Sequence, residues 1–155
     1  MAETQQDKPA FGLQRIYLKE ASLETPAAPE IFQKEWKPDV HLDLHTQTQM
    51  LDNDTHEVVL TLVVTTKSED KTAFIVEIKQ AGIFTIKGFA EEQLKHILGV
   101  DCPTILYPYA REVVTALVQR GSFPQLILAP VNFQALYVQH QENLKQQKQS
   151  PATGE

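Results

Sequence analysis

Asp39-Val40-His41-Leu42-Asp43-Leu44-His45-Thr46-Gln47-Thr48-Gln49-Met50 alternates with a period of two. Val40, Leu42, Leu44, Thr46, Thr48 and Met50 fall on one face, and acids, imidazoles and amides fall on the other. That alternation predicts a half-buried β-strand. Asp52-Asn53-Asp54-Thr55 reads as a turn, and residues 58–66, β-branched and apolar on both faces, predict a central strand. Ser68-Glu69-Asp70-Lys71 is the next turn, and residues 72–87 the next strand, with a kink expected at Ala81-Gly82. Turns this short require antiparallel neighbours. Upstream, residues 13–23 set Ile16, Tyr17 and Leu18 among charged residues and read as an edge strand. Between the two, Pro26, Pro29 and Pro38 exclude a helix or a central strand. Residues 25–38 are therefore expected to form a long ordered crossover carrying Ile31, Phe32 and Trp36.

The pattern changes after Gly88. Residues 91–98 predict a short amphipathic helix closed by Gly99. Asp101-Cys102-Pro103 carries a capping acid and an early proline, the signature of a helix start. That helix is expected to reach Gly121, bent or restarted near Pro108. Residues 122–131 are an apolar loop bounded by Pro124 and Pro130. Asn132 caps a last helix, expected to end near Lys145, with Leu136, Tyr137 and His140 at helical spacing. Strands followed by helices give an α+β fold: a four-stranded antiparallel sheet with helices packed on one face. The polar ends, residues 1–12 and 143–155, are expected to be disordered, leaving one domain over residues 13–142.

Composition narrows the function. The chain has 155 residues and a net charge of −6. Nucleic acid is a poor partner for such a chain, and a basic protein surface a better one. Cys102 is the single cysteine, which excludes an internal disulfide and a multi-cysteine zinc site. There is no apolar stretch of a length to span a bilayer, no secretory signal pattern, and no Walker loop or dinucleotide fingerprint. A cytoplasmic protein without a bound nucleotide or other cofactor is expected.

Candidate chemistry is sparse. His41, Asp43 and His45 share one strand face, where two imidazoles and a carboxylate could ligate a divalent metal; nothing elsewhere supplies a second shell, and a solvated polar face is the preferred reading. Cys102, near a helix start, is either an activated thiol or a buried structural one. No nucleophile and base stand in a recognisable constellation, so the expectation is no enzyme. Two surfaces say more. If the even positions of residues 40–50 face the helices, the odd face is acidic, and the same parity turns Ala73, Ile75, Glu77 and Lys79 outward, with Glu20 and Glu24 beside them. The loops also hold more large apolar side chains than a small core needs, enough for a groove or an oligomer interface. A small-molecule enzyme or lipid-binding module using that groove as a pocket is the competing reading.

Several stretches resemble the SecB family of bacterial protein-export chaperones. They are Gln14-Arg15-Ile16-Tyr17, Pro26-Ala27-Ala28-Pro29-Glu30-Ile31-Phe32-Gln33-Lys34-Glu35-Trp36, Gly82-Ile83-Phe84, and Cys102 through Glu112. The longest is Arg120-Gly121-Ser122-Phe123-Pro124-Gln125-Leu126-Ile127-Leu128-Ala129-Pro130-Val131-Asn132-Phe133. The resemblance covers roughly residues 11–140 in order, far more than a short motif. It implies a dimer of dimers that binds unfolded precursor proteins without ATP and delivers them to SecA, the motor ATPase of the translocase. The implied SecA-docking residues are Glu20, Glu24, Ile75 and Glu77; the family more often has Asp at the first. The implied tetramer interface is Phe74, Val76, Ile78 and Gln80. The implied client groove is Trp36, Val40, Leu42, Leu44, Phe133 and Tyr137. The resemblance also implies that the zinc of this system belongs to SecA, and the His-Asp-His pattern is not part of the resemblance.

Overall fold

Two tight turns dictate the sheet. The computed structural model describes residues 8–149. Strands β2 (Pro38–Asp52), β3 (Thr55–Ser68) and β4 (Lys71–Lys87) form an antiparallel meander. At the first turn the Asp52 carboxylate accepts the Asp54 N–H at 3.1 Å. At the second, Glu69 and Asp70 both take positive φ, 50° and 65°, the twist a two-residue hairpin needs. Strand β1 (Ala10–Glu24) pairs with β4, giving the order β1-β4-β3-β2. Strands β1 and β2, consecutive in sequence, thus lie at opposite edges, and the proline-rich crossover spans the sheet. A single 3-10 turn, Glu30–Gln33, forms within it just after Pro29, where no proline interrupts, so the exclusion of all helix there is too broad. Ile31 anchors the crossover in the core. Its far end is fixed by Ser68, whose Oγ accepts the Lys37 N–H at 3.0 Å and donates to the Glu35 carbonyl at 3.3 Å.

The expected kink is elsewhere. Pairing of β3 with β4 runs unbroken through Val59↔Ala81 and Val58↔Gly82; the irregularity lies between Thr66 and Lys67, with Ala73 as the extra residue. Ala73 is consequently buried rather than turned outward. Gly82 serves close packing instead of bending: a Cβ there would meet Phe84 and Leu106 side chains at 2.9 and 3.0 Å. Strand β1 has two bulges, at Gln14 and Lys19, because Leu13↔Phe84 is succeeded by Arg15↔Ile83 and Leu18↔Gln80 by Glu20↔Lys79. Each bulge reverses the parity of the residues beyond it.

Helices α1 (Glu91–His96) and α2 (Cys102–Arg120) are joined by a π-turn, Ile97–Asp101, without a break. Gly99 lies inside that turn and does not end a helix, and α2 continues through Pro108. Cys102, Leu106, Ala110, Val114 and Val118 recur every fourth residue and are all 0% exposed. This stripe lies across β4 and β3. The loop after α2 is pinned to it: the Tyr107 hydroxyl donates to the Ala129 carbonyl at 2.6 Å and Thr115 Oγ1 to the Leu126 carbonyl at 2.8 Å. Phe123 sits among Phe74, Phe32 and Trp36, with ring centroids 4.9, 5.2 and 5.5 Å away. Asn132 caps α3 (Phe133–Gln149), its Oδ1 accepting the Ala135 N–H at 2.9 Å.

The expected domain edges need correction. Residues 10–12 belong to β1, held by pairing to β4, and residues 143–149 continue α3. Residues 1–7 and 150–155, also expected to be disordered, lie outside the described residues.

Candidate functional site

The outer sheet face takes its character from register. The Lys19 bulge brings Glu20, Ser22 and Glu24 opposite Lys79, Glu77 and Ile75. Next in each row come Thr61, Val63 and Thr65 of β3, then His45, Asp43 and His41 of β2. Glu20, Glu24, Ile75 and Glu77 therefore share one patch. Lys79 pairs with Glu20 at 3.3 Å, whereas among the described residues Glu24 and Glu77 form no ion pair. Beside the patch, the side chains of Tyr17 and Lys19 cross over β4 to reach Glu57 on β3. The Tyr17 hydroxyl donates to Glu57 Oε2, and Lys19 Nζ stands 3.1 Å from Oε1. Ala81, opposite both Tyr17 and Val59, is small enough to lie beneath this bridge. The Tyr17 hydrogen bond is the main cause holding the Glu57 carboxyl below its ordinary range. Burial, then that same partner, pushes the Tyr17 phenol up to about 12.

The inner face is only partly covered. Helix α2 lies on the central strands, and α3 packs chiefly on the π-turn. Between β2 and α3 this leaves an open cleft of about 500 Å³. Leu44, Leu98, Phe133, Leu136 and Tyr137 give it apolar walls, and Thr46 and Thr48 extend it along β2. Gly99 lets α3 come close: a Cβ there would meet the Tyr137 ring at 2.9 and 3.0 Å. Imidazole His96 packs edge-on against the same ring at 5.6 Å and contacts Gln134, tying α1 to α3.

Of the residues expected in a client groove, Leu44, Phe133 and Tyr137 line this cleft. Leu42 stands one pleat along β2, packed on the core, and Val40 beyond it is exposed. Trp36 belongs to the Phe123 aromatic cluster and not to the cleft. Leu98, Gly99 and Leu136 escaped the expectation, although positions 133, 136, 137 and 140 repeat at helical spacing and all face the cleft. The four residues expected at a tetramer interface lie in the core of the single chain. Phe74, Val76, Ile78 and Gln80 are 1, 0, 0 and 4% exposed within the single chain, on the face that α2 covers.

The remaining candidates separate cleanly. His41 Nε2 stands 3.2 Å from Asp43 Oδ1 in an exposed pair that His45 does not join. Among the described residues, no group of three or more His, Cys, Asp or Glu could hold a metal ion. Cys102 is buried, and that burial, with Asp101 adjoining, pushes its thiol up to about 12. It is a packing residue and not an activated thiolate. No helix among the described residues is long and apolar enough to cross a membrane.

Comparison with known proteins agrees with this arrangement. The sequence model of the family described as preprotein translocase subunit SecB matches residues 4–144. Two relatives described as protein-export protein SecB, from Legionella pneumophila strains Corby and Philadelphia 1, are each 56% identical to this chain over 138 residues, 89% of this chain and 85% of theirs. A SecB-like chaperone of Mycobacterium tuberculosis, solved in complex with a ChAD peptide from the HigA1 antitoxin, matches with a TM-score of 0.60 at 20% identity. That match covers 78% of this chain and 87% of the other and bears on the fold.

Proposed function

This chain belongs to the SecB family of protein-export chaperones, and from that premise we propose that it holds unfolded precursor proteins in the cytoplasm and hands them to SecA. The observation that carries the reading is the pairing of two unlike surfaces on one sheet. An open apolar cleft lies on the inner face, and an acidic patch lies on the outer face.

A non-native chain exposes apolar segments that a folded one hides. Burial in the cleft contributes about 25 cal/mol per Å² of apolar area, with little demand on sequence. The outer edge of β2 offers unpaired backbone to an extended client. One cleft binds weakly. Several on a dimer of dimers raise the effective concentration, so a long client is held by wrapping. Preference for the unfolded form arises without ATP and opposes premature folding. Glu24 and Glu77, free of ion pairs among the described residues, then give a basic surface on SecA something to dock against without competing for the cleft.

Light scattering of a chemically unfolded client diluted into buffer tests the first half. The protein is expected to suppress aggregation as a tetramer. Glu77→Lys is expected to weaken SecA binding about tenfold or more while suppression persists. Equal loss of both activities in a folded variant would reject the separation of surfaces. Stoichiometric uptake of a small apolar molecule with no effect on aggregation would favour a pocket protein.

A further inference from the structure

Helix α3 is lightly attached to the rest of the domain. Its first residue, Phe133, is buried edge-on against Tyr107 at 5.8 Å. From there the helix packs chiefly on the π-turn and carries Leu136 and Tyr137 to the cleft. Beyond Phe133, His96 supplies a polar hold. As the last residue of α1 it turns Nε2 to the side-chain oxygen of Gln134 and sets its ring edge-on against Tyr137 at 5.6 Å. Its other nitrogen, Nδ1, stands 3.6 Å from Oδ2 of Asp101. Residues five apart fall on different sides of an α-helix; the wider π-turn over Ile97–Asp101 brings Asp101 back beside His96. Both ring nitrogens thus face oxygen, and only the imidazolium has an N–H for each. The other charged groups near the ring come from two helices. On α1, Glu92 lines the same shallow hollow as His96, and Lys95 is engaged with Glu91 and Glu92. On α3, Tyr137 and His140 are the titratable side chains turned to the cleft.

We propose that His96 is the positioning residue of α3: its protonated ring clasps α3 to the π-turn and so fixes one wall of the cleft, and the clasp loosens as pH rises through the range in which histidine titrates. Loss of the proton leaves one N–H for two oxygens. Rotation of the Gln134 amide restores a bond to the bare nitrogen, but the attraction to the Asp101 carboxylate and the charge assistance at Gln134 are gone. The ring and the carboxylate are both about half exposed, so water damps the change, and the helix is loosened and not freed. A looser α3 holds Leu136 and Tyr137 less firmly over β2, which weakens client binding over the same pH range. That last step alone rests on the cleft being the client site.

Amide hydrogen exchange of the full chain between about pH 5.5 and 8.5 is the test, read as protection factors so that the intrinsic pH dependence of exchange cancels. Protection over residues 136–142 is expected to fall about two- to fivefold across that range while protection of α2 stays level. His96→Gln keeps a polar side chain without a titrating proton, and its α3 profile is expected to be level. Gln134→Glu sets a second carboxylate against the ring and is expected to move the fall to higher pH; Asp101→Asn is expected to move it to lower pH. A blocked peptide with a Leu-Phe run and no titratable group is expected to bind wild type about two- to fivefold more weakly at the upper end, and His96→Gln equally at both ends. The proposal is overturned if wild-type α3 protection is level, if it falls as steeply in His96→Gln, or if α2 falls in step with α3. An unmoved profile in Gln134→Glu overturns it as well, whether or not His96→Gln folds. A peptide that binds at no pH, beside the expected exchange profiles, would remove the client-site reading and leave the clasp standing.

Discussion

The ammonium of Lys79 stands 3.3 Å from a carboxylate oxygen of Glu20, so the acidic sheet face carries a counter-ion of its own. The two are cross-strand partners, placed there by the bulge at Lys19. Any cationic partner that uses Glu20 must first displace Lys79. Both side chains are partly exposed, which keeps the pair weak and the competition mild. Lys79→Gln is expected to tighten SecA binding about two- to fivefold at low salt, with the gain fading as screening rises. The same substitution in a Glu20→Gln background should give little, because nothing remains to unmask. Calorimetric titration of the four proteins closes the cycle. Equal gains in both backgrounds would mean that Lys79 acts through the general field and not by masking Glu20.

Gly99 separates stability from binding. It has no positive φ, so its backbone accepts an alanine. Alanine in place of glycine within a helical stretch contributes up to about 1 kcal/mol. The opposing effect is local: the new methyl would stand about 3 Å from the Tyr137 ring and must push it into the cleft or away from it. Gly99→Ala is therefore expected to keep or raise the melting temperature while client-peptide affinity falls severalfold. A loss of stability with unchanged affinity would show that Tyr137 is a core residue and not a wall of the site.

Much of this architecture is written in spacing. The alternation of residues 40–50 and the β-branched run after it fix the meander, and Asn132 marks the start of α3. The α2 stripe every fourth residue from Cys102 to Val118 is equally legible. Even the β1 bulges have a signal. Inward apolar residues stand at 11 and 13, then 16 and 18, then 21 and 23, and each skip of three marks an extra residue. Other features depend on partners distant in sequence. Gly99 and Gly82 resemble punctuation until Tyr137 and Leu106 are seen against them. Parity places Phe74, Val76, Ile78 and Gln80 on one face without showing that α2 already occupies it. The groove is half legible for the same reason: strand period names Leu44 and helix period names Tyr137, but only the fold separates them from Trp36.

Tyr17 and Glu57 should give stability two pH limits. In the folded chain the Glu57 carboxyl is held below its ordinary value of 4.5, chiefly by the Tyr17 hydrogen bond, with Lys19 adding to the effect. A lowered folded value contributes stability that is complete above 4.5 and lost as pH falls through the folded value. The Tyr17 phenol is raised from 10 to about 12, by burial first and by Glu57 second. A raised folded value gives the opposite sign: its contribution is complete below pH 10 and lost as pH climbs toward 12. Tyr17→Phe removes the alkaline limb outright and flattens the acid limb, because Glu57 keeps only Lys19. Urea-unfolding midpoints at fixed protein concentration should differ by a constant amount between about pH 6 and 9 and converge below and above that window. Convergence on the acid side alone would show that the Tyr17 phenol titrates alike in the folded and the unfolded chain, contrary to the raise assigned to it. Parallel curves across the whole range would dismiss the bridge as a source of stability.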